Sequence, residues 1–302
     1  MPASQNLAEQ EEVARYARML LERAGVVDRL PTPIDDLLDC AELIVSQDID
    51  LTESHDGFFA RNYKLLSSAL RKAMGMVDLR ERVIYLNTTV NAGKQNFVTL
   101  HEIGHKVLPW QRDIMLHLDD DSTLSHNVRD LFEAEANSFA SEVMFQGERF
   151  DRDIRDLPLE LRTPLQLARV YGGSIHATLR RYVERHSEPC AMLVLGTTPL
   201  VTSAGAHYPV TRLHESVAFT RAFPTWPRPE RLSVSADFLQ PLAGSKGGAF
   251  EKIDTDLTLP GLHGPVPCVV HVFKSRFSNF VLLIPEGKRR RASARIVERA
   301  SR

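Results

Sequence analysis

The residues best suited to chemistry are His101, Glu102 and His105, which stand as His-Glu-Ile-Gly-His within a segment of helical periodicity, Phe97 to Leu108. Histidines four positions apart on a helix project from one face and can hold one metal ion, while the glutamate beside them can serve as a base. That is hydrolytic metal chemistry, with zinc the default ion and manganese or iron also accepting such ligands. With 11 histidines in 302 residues, chance would produce the pattern about 0.03 times. Val98, Leu100 and Val107 supply an apolar stripe, and Pro109 a stop just past the motif. The competing role is a pair of histidines hydrogen-bonded in a core, which has no need of a neighbouring base.

A catalytic metal site takes three protein ligands and leaves one position open, so a third ligand must lie elsewhere. The metzincin continuation would put Gly and His three and six residues past the second histidine, where this chain has Leu108 and Gln111. Gln111 to Asn127 reads as a polar, acidic connection, and Val128 to Phe145 as a second helix. On that helix Glu133 and Asn137 share a face with Asp130 and Ser141, whereas Ala134, Phe139, Ala140 and Val143 read as packing positions. Glu133 is the favoured third ligand, and Asn137 a group behind the ligands that orients one of them or the adjoining backbone. Glu135 is the rival; two positions along a helix turn it about 200° away, so only one of the two can face the ion. His117 and His126 are the remaining candidates, more simply read, with Asp119-Asp120-Asp121, as a solvated loop.

With these residues in place, the chain resembles the ImmA/IrrE family of bacterial metallopeptidases. The resemblance rests on an N-terminal helix, Glu11 to Ala24, followed by Pro31-Thr-Pro-Ile-Asp-Asp-Leu-Leu; the strand Arg82-Val-Ile-Tyr-Leu-Asn87; the His-Glu-x-x-His helix; and Glu133-Ala-Glu-Ala-Asn137-Ser-Phe-Ala140. The last follows the family's E-x-x-x-N-x-x-A pattern, in which the glutamate is a ligand. Together these features span about residues 8 to 187. One departure is the end of the second helix, Val143-Met-Phe-Gln146, where the family often has a Leu-Met-Pro-like sequence. The resemblance implies a zincin-like domain in which His101, His105 and Glu133 hold Zn2+ (Mn2+ being the alternative) and Glu102 passes a proton from water to the leaving amine. Strand 82–87 would then sit at the cleft edge, where an extended peptide could pair with it; plain sheet core is the other reading. Proteins of this kind typically cut a helix-turn-helix repressor of the XRE type once, releasing stress-response or mobile-element genes.

Composition sets the frame. A net charge of −2, 43% hydrophobic residues and a mean hydropathy of −0.21 describe an ordinary globular protein, long enough to hold two or three domains. No run of eighteen apolar residues and no charged, then apolar, leader is present, so a cytoplasmic protein with no membrane association is expected. Cys40, Cys190 and Cys268 stand singly, which suits a reducing compartment and argues against a disulfide framework or a thiolate metal site.

Past the two helices, Pro164-Leu-Gln-Leu-Ala168, the turn Tyr171-Gly-Gly-Ser174 and a helix from Ile175 to Glu184 have helix-turn-helix spacing, with Ser174 as cap. Arg180, Arg181 and Arg185 give the second helix a basic side, more simply a solvated face, and direct DNA binding is not expected. From Pro189 the pattern shifts to strands: Ala191 to Leu195, Arg231 to Ala236, Cys268 to Phe273 and Phe280 to Ile284, the last two forming a hairpin. A helix over Glu215 to Phe223 completes a small domain. His207, His214, His263 and His271 show no ligand spacing.

The expected class is therefore α+β. It comprises a mainly helical zincin-like metallopeptidase domain with a small sheet over residues 1–150, and a helix-turn-helix-like segment over 151–187. A C-terminal α+β domain of GAF-like type, for sensing or docking, covers 188–287, and a basic tail covers 288–302. The expected activity is zinc-dependent cleavage of a protein partner, an XRE-type repressor by resemblance. The alternatives are a DNA-binding regulator or a toxin–antitoxin interaction protein that keeps the peptidase fold as scaffold.

Overall fold

The structure, a computed structural model, describes residues 3–46, 75–87, 92–117, 125–203, 205–243, 247–261 and 264–286. The Asp119 to Asp121 run, the His117 side chain, His263 and the basic tail lie outside the described residues, as does most of the Gly244 to Gly248 loop. The fold is α+β and divides into two compact units, one of residues 1–157 and 164–179, the other of residues 158–163 and 180–302. The division runs through both helices of the helix-turn-helix-like pair.

In the first unit, α1 (Ala3–Arg23) and α2 (Ile34–Ala41) are followed by β1 (Ile44–Ser46), β2 (Gly75–Asp78) and β3 (Val83–Leu86). Four helices come next: α3 (Ala92–Val107), α4 (Pro109–His117), α5 (His126–Phe145) and α6 (Glu148–Arg155). The pair α7 (Arg162–Tyr171) and α8 (Ile175–Arg185) completes the helical part. Helix α5 is the centre: α3 packs along one side of it and α1 along another. Its inward side carries Phe132, Ala136, Phe139, Ala140, Val143 and Met144, all buried. Ala134, expected among the packing positions, is exposed, and Ala136 takes that place. The apolar stripe lies one helical step from where the alanines alone suggest, because Phe132, Phe139 and Val143 set the buried side.

Helices α3 and α5 come close because Gly104 lies between the two histidine turns. A Cβ at Gly104 would stand 3.1 Å from Phe139 Cδ1 and 3.4 Å from the Ala136 Cα, so a larger side chain would push the helices apart. At its C-terminus α5 ends in Gln146, in the left-handed region at φ 48°. The buried Gln146 side chain donates to the carbonyls of Val26 (3.3 Å) and Arg29 (2.8 Å) and accepts from Asp28 N–H (2.8 Å). It thereby satisfies the turn between α1 and α2, which would otherwise bury unpaired backbone.

The three-stranded sheet has the order β1-β3-β2, with β3 parallel to β1 and antiparallel to β2. This corrects the expected edge role of strand 82–87. Both flanks of β3 are hydrogen-bonded to neighbours and Ile84 is fully buried, so it is sheet core and has no free edge for a peptide. A second correction concerns residues 111–127. Pro109 does end α3, but it also opens α4, a first-turn position where the missing N–H costs nothing.

The second unit is built on an eight-stranded sheet. Its central path runs β5 (Leu200–Thr202), β6 (Gly205–Glu215), β4 (Ala191–Leu195), β11 (Asn279–Pro285), β10 (Gly264–Lys274), β8 (Gly248–Ile253), with β7 (Arg231–Ser233) on β6 and β9 (Thr258–Gly261) on β10. The expected hairpin is present, antiparallel from Cys268 opposite Pro285 to Lys274 opposite Asn279. One sheet face buries Leu193, Leu195, Val270, Val272, Val281 and Leu283 against Phe219, Phe223 and Trp226. Phe219 belongs to α9 (Val217–Ala222), whose N-terminus is capped by Ser216, the hydroxyl accepting from Phe219 N–H at 3.0 Å. Among the described residues no helix is long and apolar enough to cross a membrane.

Candidate metal centre

Helix α3 presents His101 and His105 one turn apart, and α5, held close at Gly104, presents Glu133 opposite them. His101 Nε2 lies 3.1 Å from His105 Nε2. Glu133 Oε2 is 3.3 Å from His101 Nε2, and its Oε1 is 3.6 Å from His105 Nε2. One atom from each residue lies within 4.8 Å of the others, and among the described residues these three form the group of His, Cys, Asp or Glu side chains able to hold a metal ion. Ligands about 2.0–2.1 Å from a tetrahedral ion stand roughly 3.4 Å apart. The separations of 3.1, 3.3 and 3.6 Å match that cage, so the residues fit a divalent ion of the zinc class.

The three candidate ligands differ in burial. The side chains of His101 and His105 are 13% and 7% exposed, while that of Glu133 is 55% exposed. Burial, together with the charge of His101, lowers the proton affinity of His105 well below its ordinary range, which keeps its ring neutral as a metal ligand requires. For His101 burial works in the same direction, but the hydrogen bond to Glu133 and the charges of Glu102 and Glu133 outweigh it and raise the pKa. The His101 hydrogen bond holds the Glu133 carboxyl below its usual value against the effect of burial.

Glu102 is buried on the same helix. Burial pushes its pKa up to about 7; the charge of His101 and a hydrogen bond from the Val77 N–H of β2 oppose the rise, and the charge of Glu133 adds to it. A Cβ at Gly75 would meet Val98 Cγ1 at 2.4 Å and Glu102 Oε1 at 3.3 Å, so the glycine lets β2 lie directly against this carboxylate.

Asn137 stands one turn beyond Glu133, its Oδ1 3.2 Å from His101 Nδ1. Glu135 points away from the cluster, accepting from Trp110 Nε1 (2.8 Å) and Gln111 Nε2 (2.6 Å). His126 is 85% exposed and paired with Asp130, outside the group. Sequence reasoning missed Gln111, whose Oε1 lies 2.7 Å from His105 Nδ1. The available signal was Pro109, which can open a helix as well as end one and so gives residues 109–117 a fixed place. Val77 was missed because a four-residue strand after a long uncharacterised stretch leaves no periodicity to read.

On α8, Arg181 is buried, whereas Arg185 is exposed and Arg180, paired with Glu184 at 2.9 Å, keeps 61% of its side chain exposed. Cys190 and Cys268 are buried, Cys40 is half-buried and all three are free.

Residues 61–182 match the peptidase family model described as the IrrE N-terminal-like domain, and this interval contains the whole cluster. The resemblance to the ImmA/IrrE family holds over these residues. Among solved structures, a Mycobacterium tuberculosis transcriptional regulator is similar at 14% identity, over 90% of this chain and 74% of that chain, with a TM-score of 0.49. A search of the curated proteins finds no match.

Proposed function

We propose that the chain is a metal-dependent endopeptidase in which His101, His105 and Glu133 hold a divalent ion, zinc foremost and manganese as the alternative. The observation that carries this reading is the spacing of the three ligand atoms, which matches a tetrahedral cage, beside a buried carboxylate on the same helix. The ion, when bound, supplies acidification of a water and polarisation of the scissile carbonyl. Glu102 takes the water's proton on its carboxylate and delivers it to the leaving amine; its burial in a poorly hydrated position raises its proton affinity toward the range useful to a general base. The hydrogen bond from the Val77 N–H ties the Glu102 carboxylate to β2. Asn137 Oδ1 lies 3.2 Å from His101 Nδ1, placed to accept a hydrogen from it in the tautomer that leaves Nε2 for the ion.

The match to a peptidase family supports a protein substrate. By resemblance, we take that substrate to be an XRE-type helix-turn-helix repressor, cut once, with the second unit serving selection or regulation. In the test, the purified protein is incubated with zinc or manganese and the repressor encoded next to it. A discrete fragment is expected with the parent chain. Glu102→Gln should keep the metal and lower cleavage by about 10²–10⁴-fold. Undiminished cleavage by that variant with metal bound would remove Glu102 from the mechanism, and no cleavage by the parent under either metal would count against the substrate.

A further inference from the structure

Both histidines of the cluster turn their Nδ1 atoms toward side-chain amides, but the two amides are held very differently. Asn137, behind His101, is exposed. Gln111, behind His105, is fully buried on α4, and every polar atom of its amide is engaged. Its Nε2 donates to the Phe132 carbonyl at 3.1 Å and to Glu135 Oε2 at 2.6 Å. Both partners can only accept, so the NH2 group must face them, and Oε1 must be the atom that meets His105 Nδ1 at 2.7 Å. An amide oxygen only accepts, hence Nδ1 carries the hydrogen and Nε2 presents its lone pair to Glu133 and His101.

The amide is itself anchored. Glu135 Oε2 also accepts from Trp110 Nε1 at 2.8 Å, and the Trp110 ring packs edge-on against Tyr16 of α1, centroids 5.6 Å apart. A chain of contacts therefore runs from α1 through Trp110, Glu135 and Gln111 to one ring of the cluster. We infer that Gln111, locked by Glu135, is a positioning residue that fixes the tautomer and ring orientation of His105 for metal binding. Glu135, two residues from the ligand Glu133 on the same helix, thus has a task on the other side of the site. The inference rests on His105 being a metal ligand, as proposed above. A buried donor pair aimed at two acceptors gives one arrangement of the amide and one tautomer, where an exposed amide allows two.

The test uses the full chain and two readouts. Zinc affinity is measured by competition with a chelator, and the His105 tautomer is read from imidazole ¹⁵N spectra of the metal-free protein. Gln111→Leu should weaken zinc binding by about 10–100-fold and turn His105 from a single Nδ1–H form into a mixture, leaving His101 as it was. A role in packing alone would lower the melting temperature without touching the tautomer. An unchanged tautomer, or zinc affinity within about twofold of the parent, would overturn the inference. If Gln111→Leu does not fold, Glu135→Ala replaces it, with a loss of about tenfold expected and recovery in Glu135→Gln, which keeps an acceptor oxygen. Equal behaviour of Glu135→Ala and the parent in both readouts would again overturn it. A parent chain that binds no zinc would strike the metal reading instead, and the metal-free tautomer would then decide this inference alone.

Discussion

His105 in the first unit and His271 in the second are both buried, and burial makes both harder to protonate than a free imidazole. Their ring nitrogens are spent differently. His271 sits on β10, where Nδ1 accepts from the Leu161 N–H at 3.3 Å and lies 3.7 Å from Glu251 Oε1. Glu251 in turn accepts from the Arg162 backbone N–H at 2.9 Å. That ring joins a loop to a strand. His105 gives Nδ1 to a fixed amide and aims Nε2 at a second imidazole and a carboxylate. Burial and a shifted pKa are common to both; convergence of lone pairs on one point belongs to the first unit alone among these two. A perturbed titration is thus a poor guide to a site until the unused atom is followed.

The contrast breaks most sharply under replacement of the rings. His105→Ala should abolish stoichiometric zinc binding and hydrolysis, whereas His271→Ala should leave zinc content unchanged, both read by elemental analysis of the purified chain. Loss of zinc in His271→Ala would erase the distinction. Next comes the packing that brings α3 to α5: Phe139→Ala should cost about 3–5 kcal/mol in denaturant unfolding, because a fully buried ring leaves a cavity between the ligand-bearing helices. Gly104→Leu should cost about 1–3 kcal/mol by overpacking against Phe139 and Ala136, and should weaken zinc as the helices separate. Unchanged zinc affinity in Gly104→Leu would show that helix spacing does not set the cage.

The smallest expected effect is a pH slope. Burial lowers the pKa of His271 in the folded state below the ordinary value of about 6.5, so the unfolded chain binds more protons at this ring as pH falls through that range. The stability this residue contributes is therefore fully present above about pH 6.5 and is lost as pH falls from there toward the folded value. Urea midpoints taken at about pH 7.5 and about pH 5 should diverge less in His271→Gln than in the parent. An equal divergence would mean that other groups carry the acid sensitivity.

Much of the centre was readable because its signals are local. The spacing of His101 and His105, and of Glu133 and Asn137, encodes helix faces directly, and the structure brings His101, His105 and Glu133 together. What escaped depends on partners distant in the chain. Gln111 had no visible purpose until α4 placed it beside Glu135, 24 residues on. The central position of β3 depends on β1 and β2, three and four residues long, whose pairing no periodicity announces. In the second unit the buried runs Ala191–Leu195 and Asn279–Pro285 were legible as strands. The eleven-residue β6, with its alternation broken by Pro209 and flanked by partners on both sides, was not.

The Gln146 side chain has a bearing on how the chain is made. It bonds to residues 117, 118 and 120 positions earlier, and α1 packs its Val13, Ala17 and Leu20 toward the α5 that Gln146 terminates. During synthesis at about 5–20 residues per second, this stripe waits roughly 6–25 s for its partner to emerge. Over that interval the apolar side of α1 has no partner to cover it, and the emergence of α5 through Gln146 supplies that partner.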